Sequence, residues 1–183
     1  MSEVSLPDFN LLISTRRGME KQCSSELWSL LRYLNIPEES IVPSDFPGLI
    51  LAKVGIDPIK FVEQLRRYTK ENPWDIRLIL KVVPIQKVVA TEVGAIAEAA
   101  SELAEKLIAP DETYRITVRR RGSHIESRAI IDAVASKIKR KVNLTSPDKV
   151  VQIEVLGWFT GISVIKPEHV VSTEKIKAEH LPK

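Results

Sequence analysis

The side chains best equipped for chemistry lie in one run of the chain. Arg115, Arg119, Arg120 and Arg121 come first, then His124 and Arg128, then Lys137, Lys139, Arg140 and Lys141. A guanidinium is planar and permanently charged, pairs with phosphate oxygens through parallel N–H donors, and stacks on flat rings. Between residues 115 and 141 nine cations face two carboxylates, Glu126 and Asp132, although the whole 183-residue chain has a net charge of only +3. The remainder is therefore net acidic, and such asymmetry points to a polyanionic partner for one region. Three adjacent arginines repel one another, and a fold alone has no need of them. The lysine-rich end has a second reading, as a solvated helix end whose cations complement the helix dipole.

Two other segments could act on a ligand. Arg16, Arg17 and Gly18 follow the first expected strand and open a helix, where free amides would form a candidate anion site. A plain strand-to-helix turn is the alternative. Residues 156–163 (LGWFTGIS) contain Gly157 and Gly161, which allow close backbone approach to an RNA strand or to a neighbouring β-strand. Gly161 and Ser163 join the arginines as RNA-contact candidates. Trp158 and Phe159 either stack on a base or fill the core of a hairpin.

Other chemistries find little support. The single cysteine, Cys23, cannot form an internal disulfide or a thiolate metal site, and its helical setting reads as structural. His124, His169 and His180 are scattered, so no metal site is expected. Ser123–His124 has no readable carboxylate partner. No GxGxxG or P-loop is present, so no cofactor and no catalytic residue are expected. No apolar run approaches the roughly 18 residues of a membrane span. Residues 1–10 carry Glu3 and Asp8 and lack a signal-peptide pattern. A cytoplasmic protein without a membrane partner is the expectation.

Hydrophobic periodicity supplies the elements that must hold these residues. Residues 9–15 read as a strand, 20–34 as a helix and 49–54 as a strand, while 40–42 are too short to assign alone. Asp57–Pro58 opens a helix to about residue 70. Residues 75–83 read as a strand with Ile76, Leu78, Leu80 and Val82 on one face. This order suggests a ferredoxin-like split βαβ unit over residues 1–85. After a linker at 84–87, residues 91–108 read as a helix, 112–121 as a strand and 126–142 as an amphipathic helix. Residues 150–156 and 162–165 read as strands joined across 157–161. Residues 168–183 form a polar, loosely ordered tail. In the strand at 112–121, Tyr114, Ile116 and Val118 face the core, and Arg115, Thr117, Arg119 and Arg121 face away.

The second half also resembles a known family. YRITVRRRG at 114–122, SRAIIDAVA at 127–135, VNLTSPD at 142–148, VQIEV at 151–155 and GISV at 161–164 follow the order and spacing of a THUMP domain, over about residues 86–167. The resemblance implies an α+β protein, with an N-terminal ferredoxin-like domain packed on an α/β THUMP domain. It implies tRNA as partner, bound at the acceptor stem and single-stranded end. Relatives commonly fuse these domains to a methyltransferase, a 4-thiouridine synthase or a pseudouridine synthase. This chain is similar to the stand-alone class, a non-catalytic adaptor that serves a separate tRNA-modifying enzyme such as a cytidine acetyltransferase forming 4-acetylcytidine. The expectation is that the protein is not an enzyme. Two alternatives stay open: a small acylphosphatase-like hydrolase using the arginines at 16–17, and a ribonucleoprotein structural component without tRNA selectivity.

Overall fold

The computed structural model describes residues 5–181. The first four residues of the expected N-terminal domain and the last two of the expected tail lie outside them. Helices and strands are mixed, and two five-stranded sheets divide the chain into two compact units. One unit contains residues 9–84 and 168–181. The other contains residues 85–167 with 5–8.

In the first unit β1 (Leu11–Ser14), α1 (Glu20–Tyr33), β2 (Glu38–Pro43), β3 (Leu49–Val54), α2 (Pro58–Glu71) and β4 (Lys81–Pro84) follow one another. The strands lie in the order β4-β1-β3-β2 with every neighbouring pair antiparallel. This is the ferredoxin-like split βαβ arrangement. Helix α1 buries Cys23, Leu27, Leu30 and Leu31 against the sheet. It ends at Asn35, whose φ of 56° is the left-handed turn that asparagine tolerates. Helix α2 starts where Asp57 Oδ1 accepts the Ile59 N–H at 2.9 Å, a cap that contributes about 1 kcal/mol. It buries Phe61, Val62, Leu65 and Thr69.

Two expectations give way here. Residues 75–80 are not a strand. The Glu26 carboxylate on α1 accepts the backbone N–H groups of Arg77, Leu78 and Ile79, at 2.9–3.2 Å. Those amides are thereby diverted from any ladder, and Ile76 and Ile79 enter the core instead of an alternating set. Nor is the segment after Pro167 a loose tail. A single 3₁₀ turn leads to β10 (Val171–Ser172), which pairs with β4, and to α5 (Thr173–Ala178). Arg66 of α2 donates to the carbonyls of Glu168 and Val170, and Val171 and Ile176 are fully buried.

The second unit runs β5 (Lys87–Ala90), α3 (Val93–Leu107), β6 (Thr113–Arg121), α4 (Ser127–Ala135), β7 (Lys141–Val142), β8 (Lys149–Leu156) and β9 (Phe159–Ile165). The sheet order is β5-β9-β8-β6-β7, and only β9 runs against the rest. Helices α3 and α4 cover one face through Ile96, Ala100, Ala104, Ile130 and Val134, packed on Tyr114, Val151, Ile153, Val155 and Ile162. The expected linker at 84–87 in fact leads straight into β5, whose partner β9 lies far along the chain. The amphipathic helix expected over 126–142 stops at Ala135. Three-residue turns follow, from Lys137 N–H to Val134 and from Ile138 N–H to Ala135, and Lys141–Val142 pairs with the start of β6.

Candidate nucleic-acid interface

Register fixes where each candidate lies. Ala90 pairs with Phe159, Phe159 with Leu156, and Leu156 with Arg121. These four residues form one row across the sheet, at the carboxyl ends of the parallel strands β5, β6 and β8. Both crossover helices begin beyond that row, α3 at Val93 and α4 at Ser127. Neither first turn receives a side-chain cap, so amides and the positive ends of two helix dipoles are presented at the same end.

The arginines of β6 add fixed charge at this mouth. Arg119 and Arg120 are exposed, and among the described residues no hydrogen bond or ion pair engages the Arg119 side chain. Arg120 Nη1 donates to the Ile125 carbonyl at 2.7 Å and braces the loop into α4. His124 and Arg128 are exposed beyond it. Arg128 stands in the first turn of α4, where a cation opposes the helix dipole. It makes only a solvent-exposed contact with Asp132 at 3.2 Å. Two carboxylates, Glu92 and Glu126, also stand at the helix starts and moderate the charge.

Arg121 is differently employed. Its Nη1 lies 2.9 Å from Glu154 Oε2, and Glu154 is 1% exposed. The other carboxylate oxygen accepts from Gln152 Nε2 at 2.9 Å. Gln152 and Glu154 alternate on β8 with the core residues Val151, Ile153 and Val155, so they occupy the opposite face of the sheet with Arg115, Thr117, Arg119 and Arg121. Glu154 therefore fixes the end of β6 by holding one of its arginines.

The sequence presents the basic residues as one cluster, and the fold divides them. Lys141 pairs with Thr113, at the start of β6. Eight residue steps separate it from the Arg121 row, about 26 Å at ~3.3 Å per residue. Lys137, Lys139 and Lys141 are exposed at that far end, where cations complement the helix carboxyl termini. Arg140 is withdrawn from the candidate surface. Its side chain is 11% exposed, and its guanidinium donates to the carbonyls of Ile108 and Lys139 at 2.9 Å. Arg115 is half-buried and donates to the Leu144 carbonyl.

Gly161 and Ser163 are also corrected. Both are buried in β9 and out of reach of an RNA strand. A Cβ on Gly161 would come within 2.9 Å of Ile85, so its small size serves packing. Of the two aromatic residues, Phe159 is buried whereas Trp158 is half-exposed.

The candidate anion site at residues 16–18 is already occupied by the chain itself. Glu20 Oε1 accepts the N–H groups of Gly18 at 3.1 Å and Gly48 at 2.7 Å. Its own amide, then those of Gly48 and Gly18, hold its carboxyl below the ordinary value of 4.5. A depressed carboxyl contributes stability that is present above the unfolded-state value and lost as pH falls through the folded one. Urea midpoints between about pH 6 and pH 3 are thus expected to fall more steeply for the wild type than for Glu20→Gln. Parallel curves would show that this cradle contributes nothing. Cys23 is buried, and burial pushes its thiol up to about 11, which denies it a thiolate at neutral pH.

Among the described residues no helix is long and apolar enough to cross a membrane. Comparison with known proteins follows the same lines as the geometry. Residues 90–165 match the sequence profile of the THUMP domain. No curated protein sequence matches the chain. Several solved structures do. PH1313 from Pyrococcus horikoshii Ot3 is 19% identical, with a TM-score of 0.63 over 86% of this chain and 55% of its own. TrmN from Thermus thermophilus is 19% identical, with a TM-score of 0.57 over 84% of this chain and 44% of its own. A protein of Clostridium difficile 630 described as a possible methylase is 13% identical, with a TM-score of 0.56 over 88% of this chain and 42% of its own.

This chain thus spans about half the length of these three solved structures, and at these identities the likeness establishes the fold alone. It also overturns the expectation that the protein is not an enzyme. The protein described as a possible methylase carries this fold as less than half of its length. A lack of readable catalytic groups in these units therefore says nothing against catalysis. What the profile match establishes is narrower: residues 90–165, less than half of the chain, carry the THUMP domain.

Proposed function

We propose that this chain grips tRNA at the carboxyl-end mouth of the THUMP sheet and presents it to a modification centre. The observation that carries the proposal is the convergence, at one end of the sheet, of two uncapped helix N-termini with Arg119, Arg120, His124 and Arg128. Amides and guanidinium groups both donate to phosphate oxygens, and phosphate contacts set the affinity and position of a bound nucleic acid. An A-form stem hides its base edges in a deep groove, so selectivity rests on shape, backbone and an unpaired end. The acceptor stem with its single-stranded end is the part of tRNA that offers all three. The modification centre belongs either to a longer polypeptide or to a separate enzyme, for which a cytidine acetyltransferase is the specific suggestion. A cytoplasmic setting accompanies this reading.

The hydrolase alternative loses its support, because Glu20 fills the cradle that an acyl phosphate would need. Competition separates tRNA selectivity from general RNA affinity. Bound labelled tRNA is expected to be displaced by unlabelled tRNA at a concentration at least about tenfold lower than by blunt double-stranded RNA of equal length. Equal displacement would favour a ribonucleoprotein component instead.

A further inference from the structure

We infer that the Trp158 indole is the platform on which an unpaired base of the bound RNA stacks, an inference that rests on the RNA-binding reading above. Trp158 is the only tryptophan in the THUMP unit. It occupies the two-residue turn between β8 and β9 with Gly157, whose φ is 65°. Such turns ordinarily hold glycine, asparagine or aspartate, and nothing in the turn geometry calls for a large ring. Trp158 is nonetheless 47% exposed.

Its surroundings make it a rigid support. The Phe159 ring meets it edge-on, with centroids 5.2 Å apart and an interplanar angle of 76°. Phe159 is itself 6% exposed and anchored in the sheet. The Gly157 N–H donates to the Arg121 carbonyl at 2.7 Å, and the Thr91 N–H donates to the Trp158 carbonyl at 2.9 Å. The turn is therefore tied to the end of β6 on one side and to the approach to α3 on the other. An exposed, braced aromatic ring thus stands at the strand end that carries Arg119 and Arg120. Aromatic platforms beside cationic groups are how proteins hold single-stranded nucleic acid, because every base offers a flat face while the cations take the phosphates. By contrast, the exposed ring of Trp28 in the other unit is covered by its own Arg32, 4.7 Å from the ring centroid.

The test compares two RNA hairpins of one stem, one with a short unpaired 3′ tail and one blunt, titrated with the wild type, Trp158→Ala and Trp158→Phe. Trp158→Ala is expected to weaken the tailed hairpin by about tenfold and leave the blunt one within about twofold. Trp158→Phe, which keeps a ring, should stay close to wild type on both. Equal weakening of both hairpins by Trp158→Ala, or none of either, overturns the inference. Thermal melts report whether the turn still folds in each variant, and Trp158→Leu, which keeps apolar bulk but removes the ring, carries the comparison if the alanine variant does not fold. Reversal of Arg119 and Arg120 separates the two claims. If it weakens both hairpins while Trp158→Ala weakens neither, the stacking platform fails and the phosphate grip stands. If the arginine reversal changes neither, the RNA-binding reading itself fails.

Discussion

Replacing Arg119 and Arg120 together by glutamate is expected to raise the tRNA dissociation constant by at least about 100-fold at roughly 0.1 M salt. Two charge-assisted contacts at about 1.5–3 kcal/mol each, with tenfold in affinity for every ~1.4 kcal/mol, account for that size. The log–log salt dependence should flatten by about 1.5, since each lost phosphate contact removes ~0.7–0.9 from the slope. Stability should hardly change. Arg119 is exposed, with no side-chain hydrogen bond or ion pair among the described residues, and Arg120 gives up one hydrogen bond to Ile125. The corresponding reversal of Lys137, Lys139 and Lys141, at the opposite end of β6, should cost only severalfold, as screened long-range attraction does. Equal losses from the two sets would mean that the carboxyl-end mouth has no special role. Isothermal titration or filter binding at several salt concentrations, with a thermal melt for each variant, reads all of these quantities.

The second large effect is on folding. Glu154→Ala is expected to destabilise the protein by about 3 kcal/mol. The carboxylate is 1% exposed and is shared between Arg121 and Gln152. Its removal strands the buried Gln152 amide and a half-buried guanidinium, and one-sided removal of a buried pair costs about 3–5 kcal/mol. The lower end applies because the Arg121 side chain is 29% exposed and can turn to water. Glu154→Gln, which keeps an acceptor oxygen, should cost less than half as much. Urea denaturation checks both variants, and a loss below about 1 kcal/mol for the alanine variant would show that the pair is not what fixes this strand end.

The elements legible in the sequence are those whose periodicity and end signals agree. Helix α2 has its Asp57 cap, Pro58 at the first position and an apolar stripe, and it forms as expected. So do β3 and β6, with unbroken hydrophobic alternation or runs. The misses share a cause, which is a partner distant in the chain. Residues 75–80 alternate like a strand, but three of their amides bond to Glu26, some fifty residues earlier. Strand β5 has four residues and exists through pairing with β9. The tail contributes only Val171 and Ile176 to the core, too few to register as a periodic pattern.

The candidate site was half legible for the same reason. Residue type identified the cations, and alternation along β6 assigned Arg119 and Arg121 to one face. Spatial grouping was hidden, because the β6–α4–β7 crossover carries the chain back down the sheet. Residues 119–121 and 137–141 are close in sequence and lie at opposite ends. Glu154 left a clear trace that sequence reasoning passed over, a lone carboxylate in an otherwise uncharged stretch, VVQIEVL. Trp158 and Phe159 were indistinguishable by type, and only the hairpin geometry buries one and exposes the other.

Amide hydrogen exchange of the full chain, with and without saturating tRNA, tests the central claim most directly. New protection is expected at residues 119–128 and 157–158 and in the first turns of α3 and α4, with little at residues 137–141. Protection confined to the lysine end, or to the surface of the other unit, would contradict it.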